Sequence, residues 1–236
     1  MTSPHTIADN LAVVRSRIAA AARRAGRDAA SITLIAVSKT FDAGQVRAAF
    51  EAGQREFGEN KVQEGEDKIA VTQDLTGARW HLIGHLQSNK ARKAAIGFST
   101  IHSVDSLDLL RRVDAAAVER GTRPDILVQT DLAGEATKFG AAQGDVEQIA
   151  RTALDAHAVR LVGLMLVPPW NENQEETRPW FARLRTFRDG LVSAGLPAEA
   201  LGHLSMGMSH DFEAAIEEGA TMVRMGTAIF GKRAKP

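Results

Sequence analysis

Apolar and polar positions divide this chain into two kinds of segment, one with helical spacing and one made of short apolar runs rich in β-branched residues. Within residues 3–25 the apolar positions recur at spacings of four, three and four. These positions are Ile7, Leu11, Val14 and Ile18. The spacing predicts an amphipathic N-terminal helix, with Ser3 and Pro4 at its start and Gly26 after its end.

Eight short apolar runs follow at intervals of about 25 residues, and each except the last precedes a helical segment. The predicted strands are residues 32–39, 55–60, 79–86, 99–106, 125–132, 160–169, 201–209 and 221–231. This alternation predicts an α/β fold in which a parallel sheet closes into a (β/α)8 TIM barrel behind an extra N-terminal helix. An open doubly wound sheet is the alternative, and it is disfavoured because no G-x-G-x-x-G motif follows the first strand.

The length of 236 residues suits one barrel, and no linker rich in Pro, Gly or Ser divides the chain. We therefore expect a single domain over residues 1–236. No apolar run approaches the roughly 18 residues of a membrane span, and the N-terminus lacks the layout of a secretory signal. We expect a cytoplasmic protein that has no membrane partner.

Composition narrows the possible chemistry. The 29 basic residues balance 29 acidic ones, which gives no electrostatic footprint for nucleic acid. The chain has no cysteine and no tyrosine, so thiolate chemistry, cysteine-ligated metals and phenol acid/base chemistry are excluded on its own residues. His81 and His85 would lie roughly 13 Å apart on a strand, too far to share a metal ion, and no metal site is expected.

Lys39 ends the first predicted strand, directly after the uncharged residues LIAVS. In a barrel this position is the mouth at the carboxyl ends of the strands, where catalytic groups gather. Desolvation disfavours the charged form of a lysine side chain, and the neutral amine is the form that condenses with an aldehyde. The alternative is a solvated lysine that begins a loop.

A candidate phosphate site lies near the other end of the chain. The seventh predicted strand runs into Ser205 to Ser209, and the eighth carries Arg224, Gly226 and Thr227. Loops after strands seven and eight often bind phosphate in barrels, and strand eight of a closed barrel lies beside strand one. A phosphorylated aldehyde near Lys39 would fit both features, although the serines and glycines could also be ordinary turn residues.

Other polar residues have two interpretations. Asn60 is a helix cap, a contact to a ligand or both, and Arg224 could instead pair with an acid at the barrel rim. Lys61 and Lys138 are either secondary contacts to the ligand or solvated surface lysines. Trp170 and Trp180 are expected to close a loop over the barrel or to pack a helix.

An ordered set of motifs resembles the pyridoxal phosphate homeostasis protein family over about residues 8–231. The motifs are AVSKT (36–40), FGEN (57–60), WHLIGHLQSNK (80–90), IHSVD (101–105), KFG (138–140), GLM (163–165) and LSMGMSHDFEAAIEEGATMVRMGTAIFG (204–231). His85 departs from the family, which commonly has proline at this position.

The resemblance implies a fold type III barrel similar to the N-terminal domain of alanine racemase, with pyridoxal 5′-phosphate (PLP) as an internal aldimine on Lys39. It also implies the remaining cofactor-binding residues. Ser209, Gly226 and Thr227 would hold the phosphate, with Ser205 and Met206 at the same strand end. Arg224 would face the pyridine nitrogen, and Asn60 would line the ring side of the pocket.

The implied function is intracellular PLP (vitamin B6) homeostasis and amino-acid balance, with no catalytic residue and no dedicated turnover. Racemases of this fold pair their lysine with a tyrosine from a second domain of the partner subunit, whereas this chain has no tyrosine and ends soon after the eighth predicted strand. We therefore expect a monomer whose partners are PLP and apo forms of PLP-dependent enzymes. The alternatives are a PLP-dependent racemase with His81 or water as second base, and a cofactor-free aldolase for a sugar phosphate.

Overall fold

Parallel strands pair edge to edge in a computed structural model that describes residues 6–134 and 139–231. The strands are β1 (Thr33–Val37), β2 (Glu56–Glu59), β3 (Arg79–Leu82), β4 (Thr100–Val104), β5 (Asp125–Asp131), β6 (Ala141–Ala142), β7 (Arg160–Leu166), β8 (His203–Met208) and β9 (Met222–Met225). Their spatial order is β4-β3-β2-β1-β9-β8-β7-β5, with the short β6 beside β5. β4 also pairs with β5, so all the strands except β6 close into an eight-stranded barrel. This closure confirms the predicted fold and rules out the open sheet.

Helices surround the barrel and connect its strands. They are α1 (Ile7–Arg24), α2 (Ala43–Glu51), α3 (Val62–Val71), α4 (Ala91–Gly97), α5 (Leu107–Arg120), α6 (Gln143–Leu154), α7 (Arg178–Ser193), α8 (Phe212–Glu217) and α9 (Thr227–Phe230). α1 is the predicted extra helix, and Thr6 caps it through a reciprocal pair of hydrogen bonds with Asp9. Ser3 and Pro4, which were predicted at its start, lie outside the described residues.

Two apolar clusters fill the structure. A large one lies between the strands and the helices, where the helices bury their apolar faces. A small second cluster comes from strand residues alone and fills the inside of the barrel. Its members are Ile35, Leu127, Val162, Met165 and Met222. None of the helices in the described ranges combines the length and apolarity that a membrane span requires.

All eight predicted strands extend beyond the observed ones, and two of them do so by the largest margin at their carboxyl ends. The strand predicted over 221–231 ends at Met225, and residues 227–230 form α9, because Phe230 turns inward against Phe41 with ring centroids 5.1 Å apart. The strand predicted over 79–86 ends at Leu82, which places His85 in a loop. In both cases a continuous apolar run hid the end of the strand, since burial alone does not distinguish a strand from a buried turn or helix.

Candidate functional site

A cavity of about 440 Å³ opens at the carboxyl ends of the strands. It brings together six of the eight residues predicted for the site, contributed by segments after β1, β2, β8 and β9. These six are Lys39, Asn60, Ser209, Arg224, Gly226 and Thr227. A larger groove of about 1320 Å³ lies at the amino ends of the strands, and its lining includes none of the eight.

Lys39 lies two residues beyond β1 and is half-buried at this cavity. The next residue, Thr40, has a φ of 69°, in the left-handed region that residues with a Cβ rarely adopt. Its backbone N–H donates a hydrogen bond to the Glu64 carboxylate. The surrounding structure thus holds the backbone after Lys39 in an unfavourable conformation, as is common at binding sites.

A buried charged cluster stands behind Lys39, between the barrel wall and α3, and consists of Glu59, Glu64 and Lys68. The Lys68 ammonium donates to Glu59 at 2.7 Å, to Glu64 at 2.9 Å and to the Ser38 carbonyl at 2.6 Å. Ser38 in turn donates its hydroxyl to Glu59 at 2.6 Å. We call these three charged residues the clamp, because they hold the backbone on both sides of Lys39.

Burial sets the electrostatics of the clamp. Burial raises the pKa of the Glu59 carboxyl above its usual range, against the hydrogen bonds from Lys68 and Ser38. Burial also acts to raise the pKa of Glu64, but hydrogen bonds from Lys68 and the Thr40 backbone outweigh it and lower that pKa. One carboxylate oxygen of Glu59, Oε2, is buried and has no hydrogen-bond partner. The positive charge of Lys68 therefore offsets the unfavourable burial of Glu59 and the repulsion between the two carboxylates.

The segments after β8 and β9 place hydroxyl groups at the same cavity. Gly207 has a φ of 90°, and a Cβ on it would lie 2.6 Å from the Ala215 Cβ, so only glycine fits this turn. The turn brings Ser209 to the cavity, and Thr227 follows β9 on the neighbouring strand. Two hydroxyl groups on adjacent segments can donate hydrogen bonds to one anion.

Arg224 is buried in the floor of the cavity. It donates to the Ser205 hydroxyl at 2.7 Å and to the Leu166 carbonyl at 3.0 Å, rather than to a carboxylate as the rim-pair alternative required. Burial lowers the pKa of Arg224 to about 10, with a partial offset from the charge of Asp211. The guanidinium therefore still carries its charge at neutral pH and can donate to an acceptor in the cavity.

Asn60 lines the cavity but does not cap a helix. The N-cap of α3 is Lys61, which makes no side-chain capping hydrogen bond, so the capping interpretation of Asn60 is wrong. Gly84 packs against Asn60 so closely that a Cβ would lie 2.2 Å from the Asn60 carbonyl oxygen. The loop after β3 therefore braces Asn60 at the cavity wall.

Other predicted residues lie elsewhere. Ser205 and Met206 do not line the cavity, and their side chains lie on opposite faces of β8, as alternation along a strand requires. Ser205 lies inside the barrel beneath Arg224, and Met206 packs between strands and helices. Lys61 is exposed, and Lys138 lies outside the described residues.

His81 is buried between Glu56 and His102 and does not line the cavity. The racemase alternative with His81 as second base therefore has no support in this geometry. His85 stacks on Phe139 with ring centroids 3.7 Å apart, and its Nδ1 lies 3.6 Å from a carboxylate oxygen of Asp105. An imidazole thus occupies the position where the family commonly has proline, and its stacking on Phe139 connects the loop after β3 to the loop after β5.

Trp170 is 73% exposed and lines the cavity, in agreement with the prediction that it closes a loop over the barrel.

Other lining residues were not predicted from the sequence. Phe41, Ile83, Met208 and His210 line the cavity and were not predicted. Each of these residues lies near the carboxyl end of a strand, and that position would have been the signal.

Comparisons with known proteins agree with this architecture. The family profile "Alanine racemase, N-terminal domain" matches residues 9–234. The chain is 44% identical over 228 residues to a pyridoxal phosphate homeostasis protein from Pseudomonas aeruginosa, covering 97% of this chain and 96% of that one. A relative of the same name from Escherichia coli strain K12 is 43% identical over 233 residues, covering 96% and 97%.

Solved structures give the same result. PipY of Synechococcus elongatus PCC7942, solved without and with PLP, superposes with TM-scores of 0.87 and 0.85 at 42% identity, covering 96% of this chain and 100% of PipY. Alanine racemase of Clostridium difficile, at 17% identity and a TM-score of 0.70, shares the fold over 58% of its own length.

The fold and the lysine at its mouth define a barrel of the alanine racemase N-terminal class. Within that class, the chain belongs to the pyridoxal phosphate homeostasis protein family. The resemblance stated from its motifs is thereby confirmed.

Proposed function

We propose that this chain binds PLP covalently through Lys39 and serves PLP homeostasis by holding and releasing the cofactor. The observation that carries the proposal is one cavity that contains the Lys39 amine, the hydroxyls of Ser209 and Thr227, and the Arg224 guanidinium. The names of the relatives and the PLP-bound form of PipY support it.

The donor set fits PLP. When bound, PLP supplies an aldehyde that condenses with a lysine amine, an aromatic ring nitrogen and a phosphate. Ser209 and Thr227 would bind the phosphate, and Gly226, which has no side chain, lies next to Thr227 in the same lining. Arg224 would donate to the ring nitrogen and would hold it unprotonated, because a second positive charge beside a guanidinium is disfavoured.

We further propose that the chain carries out no dedicated turnover and that apo PLP-dependent enzymes accept its cofactor. Tyrosine is absent from the sequence, so the chain cannot supply the phenol that serves as the opposite-face acid/base in related racemases. Lys39 is then a reversible anchor, and the hydroxyls and Arg224 set how tightly the cofactor is held. Monomeric, cytoplasmic and single-domain states stay predictions from the sequence.

An absorbance titration tests the proposal. PLP added to the purified protein should give the visible band of a lysine-linked cofactor, and Lys39→Ala should abolish that band. Lys93→Ala is the control, since Lys93 lies on α4 and pairs with Glu66 away from the cavity.

Function is tested by mixing the loaded protein with an apo PLP enzyme, whose activity should appear without free PLP. Sustained interconversion of D- and L-amino acids, abolished in Lys39→Ala, would instead favour the racemase. A colourless protein that cleaves a deoxysugar phosphate would favour the aldolase.

A further inference from the structure

A continuous line of hydrogen bonds crosses the interior of the barrel and ends at the cavity. Its side chains come from the first residue of β2 and from β3, β4, β8 and β9. The links are Glu56 Oε2 to His81 Nε2 at 2.7 Å, His81 Nδ1 to His102 Nε2 at 2.8 Å, His102 Nδ1 to Ser205 Oγ at 2.8 Å, and Arg224 to Ser205 Oγ at 2.7 Å. His81, His102 and Ser205 are 2%, 0% and 0% exposed, so no bulk water replaces a lost link.

The ends of the line fix its direction. Arg224 can only donate, so the Ser205 oxygen accepts from it, and the carboxylate of Glu56 can only accept. Ser205 then donates its hydroxyl to Nδ1 of His102, and His102 donates from Nε2 to Nδ1 of His81. His81 in turn donates from Nε2 to Glu56. In this direction each imidazole carries one ring proton, and every ring nitrogen and the Ser205 oxygen has a hydrogen-bond partner.

The reverse direction fails at one atom. It would make both Arg224 and His102 donate to Ser205, and the Ser205 hydroxyl proton would have no acceptor among the described hydrogen bonds. A buried unmade hydrogen bond is unfavourable by about 1–3 kcal/mol. Burial, together with the nearby charge of Arg224, also holds the pKa of His102 well below its usual value, which agrees with a neutral ring.

We infer that Glu56, His81, His102 and Ser205 are positioning residues for Arg224, and that they act through this one-directional line from the amino end of the barrel. The carboxylate of Glu56 accepts the last hydrogen bond of the line, and this leaves a lone pair of the Ser205 oxygen facing Arg224. The inference rests on the proposed function only where it concerns the bound cofactor.

The line itself is tested without PLP. The cofactor-free protein, labelled with ¹⁵N in its histidine rings, reports by NMR which ring nitrogen carries the proton. His102 and His81 should both show protonated Nε2 and unprotonated Nδ1, and His102 should not titrate between about pH 6 and 8. A proton on Nδ1 of His102, or a doubly protonated His102 ring in this range, would overturn the inference whatever the protein binds.

Its effect on the site is tested by a remote substitution. His81→Leu removes two links and touches no residue of the cavity lining, whereas His203→Leu is the matched control at the amino end of the same barrel, where His203 contacts only Thr221 among the described hydrogen bonds. We expect His81→Leu to weaken PLP binding roughly tenfold and to shift the absorbance maximum, because Arg224 is no longer held. His203→Leu should change neither.

Glu56→Gln keeps an acceptor oxygen for His81, so this variant should bind PLP within about threefold of the unchanged protein. Unchanged affinity and spectrum in a folded His81→Leu variant would refute the positioning role. If that variant does not fold, the histidine protonation pattern of the unchanged protein decides. A protein that binds no PLP at all would refute the proposed function and leave the NMR test of the line standing.

Discussion

Removing the Lys68 ammonium is the sharpest perturbation of the structure behind Lys39. Lys68→Met keeps most of the apolar length of the side chain and deletes the charge that pairs with Glu59. The side chains of Lys68 and Glu59 are only 9% and 0% exposed, so the substitution leaves a carboxylate without water or counter-charge. Breaking a buried pair in this way destabilises a protein by about 3–5 kcal/mol.

A matched control tests whether the burial of the lysine–glutamate pair, and not its short N–O distance, sets the effect on stability. Lys93 also pairs with a glutamate at 2.9 Å, but its side chain and that of Glu66 are 49% and 28% exposed. Exposed pairs contribute about 0–1 kcal/mol, so Lys93→Met should be nearly neutral. In a chain of this length, the loss in Lys68→Met corresponds to a Tm lower by about 6–20 °C.

The assay is urea unfolding of the cofactor-free protein, followed by circular dichroism, so that PLP binding does not add to stability. Because burial already raises the pKa of Glu59, and Lys68 opposes that rise, the carboxyl of the variant takes up a proton more readily. A carboxyl whose pKa is higher in the folded state than in the unfolded state stabilises the fold at low pH, and this contribution is lost as the pH rises through the folded-state pKa. The stability lost in Lys68→Met should therefore grow from about pH 5 to pH 8. Adding Glu59→Gln should recover part of it. A Lys68→Met loss equal to that of Lys93→Met would refute the reasoning.

Three further predictions concern the cavity and the loops near it. Gly84→Ala should weaken PLP binding and lower the free energy of unfolding by about 1–3 kcal/mol, because its Cβ would overlap the Asn60 backbone. A PLP titration and a urea unfolding curve measure the two effects. Gly144→Ala is the control, since a Cβ there meets open space. Ser209→Ala combined with Thr227→Val should weaken binding of PLP much more than that of pyridoxal, which lacks the phosphate, and equal losses for both compounds by calorimetry would argue against a phosphate site there. His85→Pro, which removes the stacking on Phe139, should change Tm by less than about 3 °C by calorimetry, since both rings are partly exposed and the contact is worth about 1 kcal/mol.

The sequence predicted the barrel because alternation of apolar runs and helical spacing is a local property, repeated often enough to outweigh errors at single ends. It predicted Lys39, Asn60 and Ser209 at the cavity because each lies at the end of a predicted strand. Arg224, Gly226 and Thr227 were predicted there because they lie on the eighth predicted strand, beside the first in a closed barrel, and because the motif around them resembles the family's. It could not show that α3, which has a charged sequence, turns Lys68 inward. The partners of Lys68, Ser38 and Glu59, are brought to it only when β1 and β2 pair.

The same limit explains the buried polar line. The sequence does not predict a role for His102 in IHSVD, because no spacing pattern around a single histidine in an apolar strand indicates which residues it will contact. Ser205 and Met206 were placed together at one strand end, whereas alternation along β8 sends them to opposite faces. Contacts across the barrel depend on closure, and spacing along the chain does not encode them.

The central claim is a covalent link between Lys39 and PLP. Borohydride reduction of the PLP-loaded protein, followed by proteolysis and mass spectrometry, locates that link directly. The account predicts a reduced pyridoxyl phosphate group on the peptide that contains Lys39, at close to one group per chain. An unmodified Lys39 peptide, with the group on Lys61 or another lysine or absent altogether, would contradict it.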